Sequence, residues 1–217
     1  MKPFTYCGTH LLALPSGALL WPEQRLLTVS DLHLGKSERI ARRSGQLLPP
    51  YEVIDTLTRL QHDLDTYAPE QVICLGDSFD DLEAGSQLPE DIATWITRLM
   101  AGRDWTWIEG NHDAGPLALG GTHRAQHHVA PLTFRHIAAD AAHQGEVSGH
   151  YHPKASVQVR GRTVTRPCFL YDESRLILPA YGTYTGGQST QDSAIETLMR
   201  PDALAILTGP VPTCIPM

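Results

Sequence analysis

Four short polar motifs constrain this chain more than any other feature: Asp31-Leu32-His33, Gly76-Asp77-Ser78-Phe79-Asp80, Gly110-Asn111-His112-Asp113 and Gly149-His150-Tyr151-His152. The first three each follow a short, largely apolar run, Arg25 to Val29, Val72 to Leu75 and Trp105 to Ile108. Such runs read as buried strands, so the polar groups fall in loops at strand ends. A fold that serves all the motifs must bring those loops to one place.

The residues between the motifs set the fold class. Leu11 to Leu14 and Ala18 to Trp21 flank Pro-Ser-Gly and predict a hairpin. Ser37 can cap a short helix through Arg43, stopped by Gly45. After Pro49-Pro50, apolar Val53, Ile54, Leu57, Leu60 and Leu64 recur at helical spacing, as do Ile92, Trp95, Ile96 and Leu99 after Pro89. Strand, loop, helix and strand alternate in the manner of a layered α/β sheet, which places its chemistry beyond the strand carboxyl ends. Past about residue 130 the pattern changes to short strands: Leu132 to Arg135, Glu146 to Ser148, Ser156 to Arg160, Thr163 to Phe169 and Arg175 to Pro179, with a turn at Gly161. A second, largely antiparallel sheet is expected. The predicted architecture is a four-layer α/β/β/α sandwich, two mixed sheets flanked by helices, in a single domain over residues 1–217. Gly182 and Gly186-Gly187 read as loop hinges.

The motif side chains suit a pair of divalent cations. Borderline-hard ions accept carboxylate oxygen, amide oxygen and imidazole nitrogen, and two such ions about 3.5–4 Å apart can clamp the attacking and leaving oxygens of a phosphate. Asp31 and His33 stand two positions apart at a strand end and can reach one ion. Asp77 has two oxygens with which to bridge both ions, and Asn111 offers a neutral oxygen. His150 and His152 repeat the two-residue spacing; alone they would read as surface histidines. His112 is the candidate general acid, with Asp80 or Asp113 orienting its ring.

This ordered set resembles the calcineurin-like metallophosphoesterases, whose pattern is D-x-H, G-D-x-x-D, G-N-H-D/E, a later His and G-H-x-H. The resemblance implies that Asp31, His33, Asp77 and His152 bind one ion, while Asp77, Asn111, His150 and the later His bind the other. It also pairs Asp80 with a catalytic His112. The family's usual His-Gly before the last motif is missing here, leaving His123, His127, His128, His136 and His143 as candidates. His136 is chosen because Leu132 and Phe134 alternate into a strand that would end beside the other ligands; His143 is second.

A narrower likeness runs through Asp31-Leu-His-Leu-Gly-Lys36, Leu48-Pro-Pro-Tyr51, Gly76-Asp-Ser-Phe79 and Arg166-Pro-Cys-Phe169. These stretches are similar to the bacterial ligase-associated metallophosphoesterases. That resemblance implies a manganese-dependent DNA endonuclease and phosphodiesterase of DNA repair, with iron or zinc as alternative metals. It further implies functional association with an ATP-dependent DNA ligase, a helicase and an exonuclease. The nucleophile would be a hydroxide between the ions, with His112 as acid. A small-molecule or nucleotide phosphatase with the same centre is the rival reading, and a non-catalytic protein-binding scaffold a third.

Composition narrows the partners. The formal charge of -7 argues against a general nucleic-acid coat, so any phosphate-binding surface must be local. Lys36, Arg39 and Arg43 fall on one side of the short helix, with Arg42 at its edge, and are candidates to hold phosphates beside the metals. Lys154, Arg160, Arg162 and Arg166 form a second basic cluster. Trp105 and Trp107 share a strand face and read as core rather than as base-stacking groups. Tyr181 and Tyr184, near Gly182 and Gly186, read as loop residues, either bordering the site or, the favoured reading, simply packing within the loop. The four cysteines are far apart with no Cys-x-x-Cys, which predicts buried free thiols. Neither a signal peptide nor a membrane span is evident, pointing to the cytoplasm.

Overall fold

The computed structural model describes residues 1–37, 39–40, 45, 51–80, 88–113, 119–141 and 143–217. The first sheet contains β1 (Lys2–Tyr6), β2 (Thr9–Ala13), β3 (Leu19–Trp21), β4 (Leu26–Val29), β5 (Gln71–Leu75), β6 (Asp104–Ile108) and β7 (Thr122–Arg124), lying side by side in chain order. Strands β1 to β4 form an antiparallel meander, whereas β4 to β7 run parallel. All four residues of β4 are buried, as expected of a strand covered on both faces.

Two helices cover one face of this sheet. In α1 (Glu52–Tyr67), Val53, Leu57, Leu60 and Leu64 are buried against the sheet. Ile54, predicted on the same stripe, is 52% exposed, because helical geometry turns it about a quarter turn away from Val53. In α2 (Glu90–Met100), Ile92, Ile96 and Leu99 face inward, and Trp95 donates its indole N–H to Gln61 of α1 at 2.8 Å. Trp105 and Trp107 pack in this core with ring centroids 5.5 Å apart, as their strand positions predict.

The second sheet comprises β8 (Gln126–Val129), β9 (Leu132–Arg135), β10 (Glu146–Ser148), β12 (Arg162–Tyr171), β13 (Arg175–Ile177), β14 (Leu204–Leu207) and β15 (Thr213–Pro216); β11 (Lys154–Val159) pairs with β12. It is largely antiparallel, but β10 runs parallel to both β9 and β13. Leu75 and Ile108 of the first sheet share a core with Phe134, Val147, Phe169 and Leu176 of the second. The sheets therefore pack face to face, and the outer side of the second is covered around α3 (Ser193–Glu196) by Ile195 and Met199. This is the α/β/β/α sandwich predicted, with a thin fourth layer.

Lys36, Ser37, Arg39 and Ile40 are helical. Arg42 and Arg43 lie outside the described residues, as does most of the Leu48-Pro-Pro-Tyr51 stretch. Cys74 and Cys168 are buried free thiols; Cys7 and Cys214 are only half-buried. No helix among the described residues is long and apolar enough to cross a membrane.

Candidate metal centre

Strand register places the motifs. Val29, Cys74 and Trp107 stand abreast across β4, β5 and β6. Asp31, Asp77 and Asn111 then follow two to four residues beyond that line, at three adjacent parallel carboxyl ends. In the facing sheet Phe134 and Val147 are neighbours on parallel β9 and β10. His136 and His150 follow them at the same edge. Five loops thus converge because every strand that feeds them points the same way within its sheet.

The loops are laced together through their backbones. Asp31 N–H donates to Gly76 O at 3.2 Å, His33 N–H to Asp77 O at 2.9 Å and Gly149 N–H to His136 O at 2.9 Å. Asp31, His33, Asp77, His150 and His152 all have φ between 44° and 71°, a left-handed region that non-glycine residues seldom occupy. Such strain is held by the lacing and aims the five side chains inward. Gly76 shares that conformation, with φ 76°, and has a second reason to be glycine: a Cβ there would lie 2.3 Å from His136 Nδ1.

Two trios result. Ligand atoms of Asp31, His33 and His152 lie within 4.8 Å of one another, as do those of Asp77, His136 and His150. His152 Nε2 is 2.9 Å and His33 Nε2 3.9 Å from Asp31 Oδ1. These three atoms are buried without a hydrogen-bond partner. Electron-pair donors turned on one another in this way are what a cation satisfies. In the second trio His136 Nε2 lies 3.3 Å from Asp77 Oδ2, 3.0 Å from Asn111 Oδ1 and 3.3 Å from His150 Nδ1. His136 Nδ1 stands 3.0 Å from Leu75 O, a contact that fixes the ring with Nε2 free for a metal. His143 is exposed and belongs to neither trio.

Electrostatics follow from this crowding. Burial pushes the Asp77 carboxyl up, but the hydrogen bond and charge of His136, with the His112 backbone N–H, bring it down to about 2. Burial disfavours the His136 imidazolium, yet Asp77 and Asp31 together raise it to about 8. Asp31 is likewise lowered by His152 against the effect of its own burial. Burial and the positive neighbour His136 lower His150. A proton on His136 is thus doing part of what a divalent ion would do.

Asp80 does pair with His112, but through its main chain and not its carboxylate. His112 Nδ1 lies 3.0 Å from the main-chain carbonyl oxygen of Asp80. The carboxylate turns the other way, with Oδ1 3.0 Å from His33 Nδ1 and Oδ2 on the Arg39 guanidinium. The reason is charge: buried Asp80 is drawn to the cation and the imidazole on its other side. Asp113 does not hold the ring either. Its carboxylate accepts from the backbone N–H groups of Ser78 at 2.7 Å, Phe79 at 3.1 Å and Gly110 at 3.1 Å, clamping the second and third motif loops.

Lys36 and Arg39 also depart from the reading as free phosphate ligands. Both face Asp80, Lys36 at 4.0 Å. Tyr181 lies in a loop beside the first motif and is wholly buried there, donating its hydroxyl to Asp63 of α1 at 2.9 Å. Tyr184 stands beside Tyr51. Gly182 is no hinge: its N–H donates to Asp31 O at 3.1 Å, and a Cβ would meet Leu32 O at 2.0 Å. Sequence reasoning missed Ser30, whose hydroxyl donates to Asp31 Oδ2; its position beside Asp31 was the available signal.

A layered α/β sandwich carrying two carboxylate–histidine trios at its strand ends defines a metal-dependent phosphoesterase. The family description "calcineurin-like phosphoesterase" matches residues 24–177, more than half of the chain. The chain belongs to the calcineurin-like phosphoesterases. Among solved structures it is similar to Pseudomonas putida nuclease MPE, with 29% identity, a TM-score of 0.77, and coverage of 98% of this chain and 99% of that one. Yfce, a phosphoesterase from E. coli, shares 13% identity with a TM-score of 0.42, covering 88% of this chain and 98% of its own. A search of curated proteins returned no match.

Proposed function

We propose that this chain is a two-metal phosphodiesterase that cuts DNA. The observation that carries the reading is the pair of adjoining trios with His112 at their edge, its Nε2 4.0 Å from Asp77 Oδ2. When bound, two divalent cations supply the acidity that makes water a nucleophile at neutral pH and the charge that stabilises the phosphorane-like transition state. Asp31, His33 and His152 would hold one ion, and His136, His150 and Asn111 the other, with Asp77 between them.

His112 is placed to move the proton. Its Nδ1 faces the Asp80 carbonyl, which fixes the ring and leaves Nε2 toward the centre. With 36% of its side chain exposed it can be reprotonated from solvent. The ring therefore donates to the leaving oxygen and recovers its proton from water.

DNA as substrate is supported by the likeness to a nuclease along nearly the full length of both chains. The motif resemblance to ligase-associated enzymes supports manganese as the metal and DNA repair as the setting. To the same proposal belong a cytoplasmic location and functional association with a DNA ligase, a helicase and an exonuclease.

The test is a metal panel on chelator-stripped protein, assayed on defined DNA, an aryl phosphodiester and mononucleotides. Manganese is expected to restore DNA cleavage. His112→Ala should keep its metal yet lose about a hundredfold or more in turnover. Activity confined to mononucleotides would defeat the DNA reading, and an unimpaired His112→Ala would defeat the acid assignment.

A further inference from the structure

Two residues beyond His152 the chain enters β11, which pairs with β12, makes an isolated bridge from Lys154 to Ser189 at its base, and turns back at Arg160-Gly161. Both turn residues have positive φ, 51° and 76°, as a tight two-residue hairpin requires. The base is pinned: Cys168 N–H donates to Pro153 O, Lys154 N–H to Gln188 O and Thr208 N–H to Pro167 O. Beyond it the hairpin is largely exposed.

Its chemistry is one-sided. From Pro153 to Leu170 the sequence holds Lys154, Arg160, Arg162 and Arg166 and no acidic residue, in a chain of formal charge -7. Six arginines elsewhere form ion pairs, Arg25 with Glu70, Arg39 with Asp80, Arg59 with Asp55, Arg135 and Arg175 with Glu146, and Arg200 with Glu173, whereas Arg98, Arg103 and Arg124, scattered along the chain, have no carboxylate within reach among the described residues. None of the four hairpin cations has an ion-pair partner among the described residues.

Register sorts the two faces. Ser156 opposite Thr165 and Gln158 opposite Thr163 form hydrogen-bonded rungs of 2.7 and 2.8 Å on one face. Arg162 and Arg166 alternate onto the other, opposite Val159 and Ala155. At about 3.3 Å per residue those two arginines are about 13 Å apart, the axial rise of about four nucleotides of a strand. Arg160 at the tip is about 20 Å along the hairpin from Lys154. A mononucleotide held at the metals cannot span that distance, whereas a polymer with regularly spaced phosphates can.

We propose that the β11–β12 hairpin is a backbone grip: Arg160, Arg162 and Arg166 bind separate phosphates spaced along the DNA strand that leaves the metal centre past His152. This rests on the DNA-cleaving reading above. The grip is sequence-independent, since phosphate contacts position a strand without reading its bases.

The experiment compares the manganese-loaded parent with R160A/R162A/R166A and the charge-preserving R160K/R162K/R166K. The probes are a single-stranded oligonucleotide and bis(nitrophenyl) phosphate. The alanine variant should keep its rate on the aryl diester to within about twofold while KM on DNA rises about tenfold or more. The slope of log affinity against log salt should weaken by about 2, near 0.7 per lost single-strand contact, and the lysine variant should restore it. A parent-like salt slope and KM in the alanine variant would overturn the grip and leave the DNA reading standing. Loss of the aryl activity along with the DNA activity would also overturn it, by showing a structural role. If the parent hydrolyses the aryl diester but neither binds nor cuts DNA, the substrate reading itself fails and the grip with it.

Discussion

Asp77 and His136 hold each other in charged form, and that mutual shift makes the metal-free centre pH-sensitive in two directions. The Asp77 carboxyl is lowered from 3.8 to about 2, so its contribution to stability is present above pH 3.8 and is lost as pH falls through about 2. His136 is raised from 6.5 to about 8, so its contribution is full below pH 6.5 and is lost as pH rises through about 8. A urea-midpoint series on chelator-stripped protein should therefore decline above neutrality, and His136→Gln should remove that decline. A cation at Nε2 must displace the same proton, so metal uptake below pH 8 should release it; calorimetry in buffers of different ionisation enthalpy reads the proton count. Asp80 belongs to this scale too. Because its carboxylate faces His33, Asp80→Asn is expected to weaken metal binding about 10- to 100-fold, with the His112 ring still held by the main chain. Equilibrium dialysis with manganese tests this, and unchanged affinity would show that His33 needs no such partner. From the residues alone Asp80 was legible as important but not the direction of its side chain, which Arg39 and His33 decide from a different loop.

At the scale of elements, helix α1 supports the first motif from behind. Arg59 donates to Tyr181 O at 2.9 Å and to Thr183 Oγ1 at 2.8 Å, and its guanidinium lies 4.9 Å over the Tyr181 ring. Tyr181 N–H in turn donates to Ser30 O at 2.7 Å and Gly182 N–H to Asp31 O. Tyr181→Phe leaves buried Asp63 without this donor and should cost about 1–3 kcal/mol in chemical denaturation. Gly182→Ala pushes directly on the Leu32 carbonyl and should lower metal affinity more than it lowers stability, read by metal titration beside a melting curve. Neither connection had a signal in the sequence, because both join segments more than a hundred residues apart. Helices α1 and α2 were legible from apolar spacing. Strands β7 and β8, with sequences THR and QHHV, carry no apolar alternation, and only pairing with β6 and β9 makes them strands.

For the whole molecule the two sheets are joined at the site as well as through the core. Asp31, Asp77 and Asn111 come from the first, and His136, His150 and His152 from the second. A bound ion in either trio therefore ties sheet to sheet. Ligand that binds only the folded state at about 100 times its dissociation constant adds about 2.7 kcal/mol, so chelation should lower the melting temperature by several degrees, reversibly on returning manganese. An unchanged melting temperature would mean that the trios do not hold metal in the folded chain. What the sequence determined by itself was local: which residue types stand at strand ends, the helical and strand periods around them, and hence the class of sandwich and the set of donors. Strand alternation also singled out His136, which the fold brings into the second trio, whereas which way Asp80 turns and what supports Asp31 were decided only by the tertiary structure. Periodicity is a property of neighbours along the chain, whereas these two depend on side chains that strand pairing and sheet packing bring within a few ångströms from distant loops.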